Sequence, residues 1–152
     1  MDVELEAQRS EFNRLIKEQD RFYYEAAYAA HMSEVAFYVM YTLCDTGGSL
    51  TQAQLCRQLY YSRQTVNSAV KKLEKDGFIH LFSDVGNGHR KHMTLTDTGD
   101  AYCRRYVVPL IEAELSALST FTVKERALLL SLLQRQLQWL KEHTEHHDHQ
   151  TV

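Results

Sequence analysis

Residues 4 to 30 run without a glycine or a proline, and Phe12, Leu15, Ile16, Phe22, Tyr23, Ala26, Ala27 and Ala30 recur there at steps of three and four. That period lines one face of a helix. Breaks are scarce throughout, with one proline and six glycines in 152 residues, so each one is informative. Ser33 is placed to cap a second helix reaching about Cys44, which Gly47-Gly48 stops. Thr51 with Gln54 three residues on reads as a capping box opening a short third helix, Gln52 to about Leu59. Ser62 caps a fourth, whose inward residues are Val66, Ala69, Val70 and Leu73. Gly77 then stands where a left-handed C-cap residue belongs.

After Gly77 the period changes from helix to strand. Phe78 to Phe82 is a short apolar run, and Lys91 to Leu95 alternates with Met93 and Leu95 on one face. Asn87-Gly88 between them is a hairpin signal, so the two runs are expected to form a β-hairpin with a polar, basic-ended tip. Thr96 caps a fifth helix to about Leu118, which Pro109 should kink or break. Thr122 and Glu125 form a second capping box before a last helix. There Val123, Ala127, Leu130, Leu133, Leu137 and Leu140 recur at helical spacing, and Leu129 and Leu132 widen the stripe beyond what one small domain needs. The polar end from 143 to 152 is expected to fray.

The chain is 44% hydrophobic and 24% charged, enough to bury a core as one mainly α domain over 1–152. No run approaches the ~18 apolar residues of a membrane span, and the acidic start MDVELEAQRSE does not resemble a signal peptide. Cys44, Cys56 and Cys103 are widely spaced without a CxxC and read as reduced thiols acting as small hydrophobes, so a cytoplasmic protein is expected. HExxH, P-loop, nucleophile-elbow and GxGxxG patterns are all lacking, so neither an enzyme nor a cofactor is expected.

Net charge is -3, but its distribution is uneven. From Ser62 to His92 six cations (Arg63, Lys71, Lys72, Lys75, Arg90, Lys91) face three acids, a local +3 that leaves -6 elsewhere. One basic segment on an acidic body is the pattern of a local footprint for a polyanion. The short helix and the Ser62 helix are joined too closely to lie antiparallel, which is the grammar of a helix-turn-helix whose second helix enters a DNA major groove. Its outward residues suit that task. Gln64, Thr65, Asn67 and Ser68 could face base edges, Arg63, Lys71 and Lys72 phosphates, and the capped N-terminus at Ser62 favours a phosphate too. A solvated helix face would be polar as well; the basic hairpin directly after it favours the DNA reading.

The stretch TVNSAVKKLEKDGFI…VGNGHRKHMTLTDTG, Thr65 to Gly99, resembles the winged helix of MarR-type transcriptional regulators. Leu73 to Ile79, the wing, and Leu95 to Gly99 carry the resemblance, which extends along the chain in helix order. It implies a winged helix-turn-helix with N- and C-terminal dimerisation helices (4–30 and 97–142) around a DNA-binding lobe (33–95). It also implies a homodimer whose two recognition helices enter successive major grooves of a pseudo-palindromic operator, acting as a ligand-responsive repressor. The wing departs from the family habit of an Asp followed closely by two basic residues: here Asn87-Gly88-His89 precede Arg90 and Lys91. His89, Arg90 and Lys91 are therefore expected at the DNA, with Arg90 in or near a minor groove.

Three sensing devices suggest themselves. Tyr23, Tyr28, His31, Tyr38 and Tyr41 crowd the first two helices and could line a pocket for a small aromatic or anionic effector, or could simply be packing. A cysteine switch is disfavoured, since thiol-sensing members of the resembled family carry their cysteine near the N-terminus and none precedes Cys44. His143 and His147 at i and i+4 are metal-ligand types, but no third ligand is fixed, so no metal site is expected. The competing class is a helical protein-interaction module using the long apolar stripes and no operator.

Overall fold

The computed structural model describes residues 2–84 and 90–144, with the backbone alone at 84, 90, 91 and 144. Two compact units follow one another along the chain, 1–111 and 112–152.

In the first unit α1 (Val3–Ala29) starts under Asp2, whose carboxylate accepts from the Glu4 and Leu5 amides. It ends at a left-handed residue, His31 with φ 55°, whose amide donates to the Tyr28 carbonyl. A non-glycine residue seldom adopts that conformation, and histidine is one of the few that tolerate it. Ser33 caps α2 (Glu34–Asp45), which buries Phe37, Val39, Met40 and Leu43 completely and is the axis of the core. Gly47 and Gly48, both with φ 83°, end it as expected.

The next residues depart from expectation. Ser49–Thr51 form a strand, β1, that pairs antiparallel with β3, Leu50 opposite Met93, so the hairpin is part of a three-stranded sheet of order β1-β3-β2. Three residues are too few to display a period of two. α3 (Gln52–Gln58) and α4 (Arg63–Lys75) follow, then β2 (Ile79–Asp84) and β3 (Arg90–Leu95). In the β2–β3 register Ile79 pairs with Leu95 and Leu81 with Met93, turning Ile79 and Met93 into the core below α2 and α4. The expected turn at Asn87-Gly88 lies outside the described residues.

The predicted fifth helix continues through its proline instead of breaking. α5 (Asp97–Tyr102) passes through a π-helical turn, Cys103–Val107, into α6 (Val108–Ser119). Pro109 has no amide hydrogen and its ring crowds the carbonyl four residues back, on Arg105. Widening the preceding turn, with the Val108 amide reaching the Cys103 carbonyl, accommodates it. Cys103 and Val107 stay buried through the π turn.

In the second unit Thr122 and Glu125 close the expected box: the Glu125 amide donates to Thr122 Oγ1 at 3.3 Å and the Thr122 amide to Glu125 Oε2 at 2.7 Å. This holds the Glu125 carboxyl below the usual carboxylate range. α7 (Val123–Thr144) then exposes Leu128, Leu129, Leu130, Leu132, Leu137, Trp139 and Leu140. The polar end expected to fray lies outside the described residues from 145 on. Among the described residues no single helix is long and apolar enough to cross a membrane.

Candidate nucleic-acid interface

The site is built on caps. Thr51 Oγ1 accepts from the Gln54 amide at 3.1 Å while Gln54 Oε1 accepts from the Thr51 amide at 2.9 Å, fixing where α3 begins. After Gln58 the chain turns through Leu59 to Tyr61, the Tyr61 amide donating to the Leu59 carbonyl at 2.7 Å. Tyr61 braces this turn from outside, its hydroxyl donating to Glu34 Oε1 at 3.0 Å. Burial, then the neighbouring Glu34 carboxylate, push that phenol up to about 12. Ser62 Oγ accepts from the Thr65 amide at 3.1 Å and starts α4. A Schellman-type end closes it: Phe78 amide to Leu73 carbonyl, with Gly77 at φ 79°.

Between these ends α4 is sharply two-faced. Val66, Val70 and Leu73 are buried and Ala69 half-buried, while Ser62, Arg63, Gln64, Thr65, Asn67, Ser68, Lys71 and Lys72 are all exposed. The structure sorts these outward residues in a way the sequence did not show. The Ser62 and Thr65 hydroxyls bond each other at 2.7 Å, and Ser68 Oγ donates to the Gln64 carbonyl at 2.9 Å. Lys72 Nζ lies 2.6 Å from Asp76 Oδ2, and Asn67 Oδ1 accepts from Gln52 Nε2 of α3. Arg63, Gln64 and Lys71 have no side-chain partner among the described residues.

The sheet follows α4 directly. Its outward side carries Phe82, 48% exposed and stacked on His92 at 5.5 Å. The backbones of Arg90 and Lys91 stand at the far end of the hairpin, opposite Asp84 and Ser83. His89 lies outside the described residues.

The proposed sensing residues do not converge. The Tyr23 and Tyr38 rings lie 6.4 Å apart and Tyr38 lies 6.5 Å from Tyr61, an aromatic row packed against the core. Tyr41 is half-buried against the same core, and Tyr28 is 76% exposed. His31 alone of the five lines an open cavity of about 300 Å³, with Met32, Lys72, Asp76, Phe78, Tyr102 and Tyr106 among the other walls. The last two were missed in the sequence, although their i, i+4 spacing just before Pro109 was a signal. Tyr102 donates to the Ala30 carbonyl at 3.1 Å, and burial raises its phenol well above the ordinary range. Cys103 is buried with Sγ 3.8 Å from the Met40 carbonyl, and burial, with Cys44 beside it, pushes its thiol up to about 12. Burial raises the Cys44 thiol as well, so both fit the reading as small hydrophobes.

Residues 32–88 match the MarR family. The chain is 28% identical over 106 residues to the HTH-type transcriptional regulator PecS of Dickeya dadantii, a match spanning 68% of this chain and 64% of that protein's length. Its fold is similar to that of a MarR family regulator from Neisseria meningitidis, with a TM-score of 0.75 at 22% identity over 97% of this chain and 99% of the other. It is also similar to MepR of S. aureus in its complex with DNA, with a TM-score of 0.66 at 20% identity over 85% and 93% of the two chains.

Proposed function

We propose, from the premise that this chain carries a MarR-type winged helix-turn-helix, that it is a sequence-specific double-stranded DNA-binding regulator working as a repressor. The observation that carries the reading is the outward face of α4. It keeps Arg63, Gln64 and Lys71 uncommitted on a helix that is otherwise tightly held, directly before a hairpin ending in Arg90 and Lys91. In this reading Gln64 and Asn67 meet base edges. Arg63, Lys71, Lys72, Arg90 and Lys91 meet phosphates or the minor groove, with His89 beside them. Thr65 and Ser68 act mainly by holding the helix, since their hydroxyls already bond within it. The MepR complex, of similar fold, contains DNA, which supports the same use here.

A homodimer on a pseudo-palindromic operator completes the reading. Support comes from apolar surface that one copy leaves uncovered: Leu15 and Phe12 on α1, and separately Leu115, Leu118, Leu132, Leu137 and Trp139 on α6 and α7. Soluble monomers seldom leave so many large apolar residues exposed. Two-fold symmetry then sets half-sites ~10 bp apart or a multiple of that. Bound at a promoter, such a dimer blocks transcription. Its effector site is the cavity at His31, whose size, tyrosine rings and Lys72 ammonium suit a small planar anion.

The test is a fluorescence-anisotropy titration of the protein against its own upstream intergenic DNA and a random duplex at several salt concentrations. Tight binding of the specific duplex is expected at two subunits per site, falling steeply with salt, and weakened by small aromatic carboxylates. Lys71→Ala should weaken binding to every sequence and lower the salt slope by about 1, whereas Gln64→Ala should relax preference at one position. Salt-insensitive, weak binding equal for both duplexes would instead favour a protein-interaction module.

A further inference from the structure

Asn67 sits midway between Arg63 and Lys71 on the outward face of α4, at steps of four. Its carbonyl oxygen accepts from Gln52 Nε2, across the two helices of the helix-turn-helix. An asparagine with both amide groups free matches adenine, which offers one acceptor (N7) and one donor (N6) in the major groove. Asn67 is not free in that way: Oδ1 already accepts from Gln52 and keeps one lone pair, whereas Nδ2, which only donates, has no partner among the described residues and is the freer group. Guanine, with acceptors at both N7 and O6, is the base edge that suits such a donor.

Gln52 is itself firmly placed. It is the first residue of α3, behind the Thr51–Gln54 box, and Thr51 is paired with His92 in the sheet. The backbone that carries the Gln52 side chain is thus tied to the hairpin as well as to α3. We propose that Gln52 is a specificity-positioning residue that never needs to touch DNA: it fixes the Asn67 amide so that α4 presents a donor and selects guanine at the base Asn67 meets. This rests on the DNA-reading role of α4 proposed above.

The chemistry gives an inversion test. A carboxylate accepts and cannot donate, so Gln52→Glu must take its hydrogen bond from Asn67 Nδ2 and leave Oδ1 outward. Full-length wild type, Asn67→Ala, Gln52→Glu and Gln52→Ala would each select from a duplex pool randomised across the operator. The base met by Asn67 is the position whose preference Asn67→Ala abolishes.

Wild type should favour guanine there over adenine by on the order of 10-fold. Gln52→Glu should reverse this in favour of cytosine or adenine, the bases bearing a donor, and Gln52→Ala should admit adenine. Gln52→Ala adds no charge, so its result stands even if Gln52→Glu binds all DNA weakly or folds poorly. Adenine in the wild type, no position sensitive to Asn67→Ala, or a guanine preference unchanged by both Gln52 substitutions overturns this inference alone. Failure of the wild type to bind any duplex in a salt-dependent way overturns it together with the function it rests on.

Discussion

Gly99→Ala is the substitution whose cost can be worked most directly from the coordinates. Gly99 lies in the first turn of α5, and its amide donates to Thr96 Oγ1 at 3.0 Å. A methyl group there would sit 2.0 Å from the Phe78 carbonyl oxygen, 3.0 Å from its carbon and 3.3 Å from Leu95 Cδ2. The first obstacle is backbone, and it is pinned. The Phe78 oxygen accepts from the Thr96 amide at 3.1 Å and from Thr96 Oγ1 at 3.2 Å, while Thr96 Oγ1 also donates to the Gly77 carbonyl at 2.6 Å.

Relief therefore requires α5 to move about 1 Å from the start of β2, straining those bonds. Overpacking of this kind costs ~1–3 kcal/mol, and weakening two hydrogen bonds adds about 2 kcal/mol. Alanine's better helix propensity returns ~1 kcal/mol. The expected loss is about 3 kcal/mol, or roughly 10 °C in Tm for a chain of this size. Gly47→Ala is the control: with φ 83° and nothing within 4 Å of the added methyl, it carries only the left-handed penalty of ~1 kcal/mol. Urea denaturation followed by circular dichroism, at one fixed protein concentration, measures both. A Gly99→Ala protein as stable as Gly47→Ala would refute the claim that the α5–β2 approach demands a residue without Cβ.

Two further outcomes follow from the caps and braces of the helix-turn-helix. Ser62→Ala removes the acceptor for the Thr65 amide and should lower stability by about 1 kcal/mol in the same assay; no change would mean the cap is replaced by water. Tyr61, with its phenol pushed up to about 12, favours the folded chain while protonated. Its contribution is thus fully present below the ordinary phenol range near 10 and lost as pH rises through 12. In an ultraviolet alkaline titration, the fraction ionising near pH 12 should shrink in Tyr61→Phe and shift to lower pH in Glu34→Gln; a titration curve unchanged by both substitutions would contradict the brace.

What could be read in the sequence was whatever is decided within about four residues. Ser33, Thr51, Ser62, Thr96 and Thr122 each stand at the cap the local pattern announces. The outward face of α4 was legible for the same reason, since burying Val66, Val70 and Leu73 leaves the others no alternative. What needed the structure is long-range. β1 is a strand only because Leu50 meets Met93, and the cavity is lined both by the turn at His31 and by Tyr102 and Tyr106, about seventy residues on. Pro109 announced a disturbance, but that it takes the form of a π turn depends on keeping Cys103 and Val107 in the core. The Gln52–Asn67 bond joins residues on two helices, and no periodicity could announce it.

The same sorting explains how an acidic chain can be suited to read DNA. With a net charge of -3, the molecule as a whole offers a polyanion no long-range attraction, and at physiological salt charges beyond ~8 Å are largely screened. Binding energy must then come from groups within contact distance of the duplex, and what matters is which of these are uncommitted. Arg63 and Lys71 on α4 are, whereas Lys72 is already paired with Asp76, and an ammonium shared with a carboxylate offers a phosphate less than a free one. Because Lys72 and Asp76 also line the cavity at His31, an anion bound there competes with both for the same ammonium. In the proposed function the last turn of α4 is thus a point where DNA and effector draw on one charge.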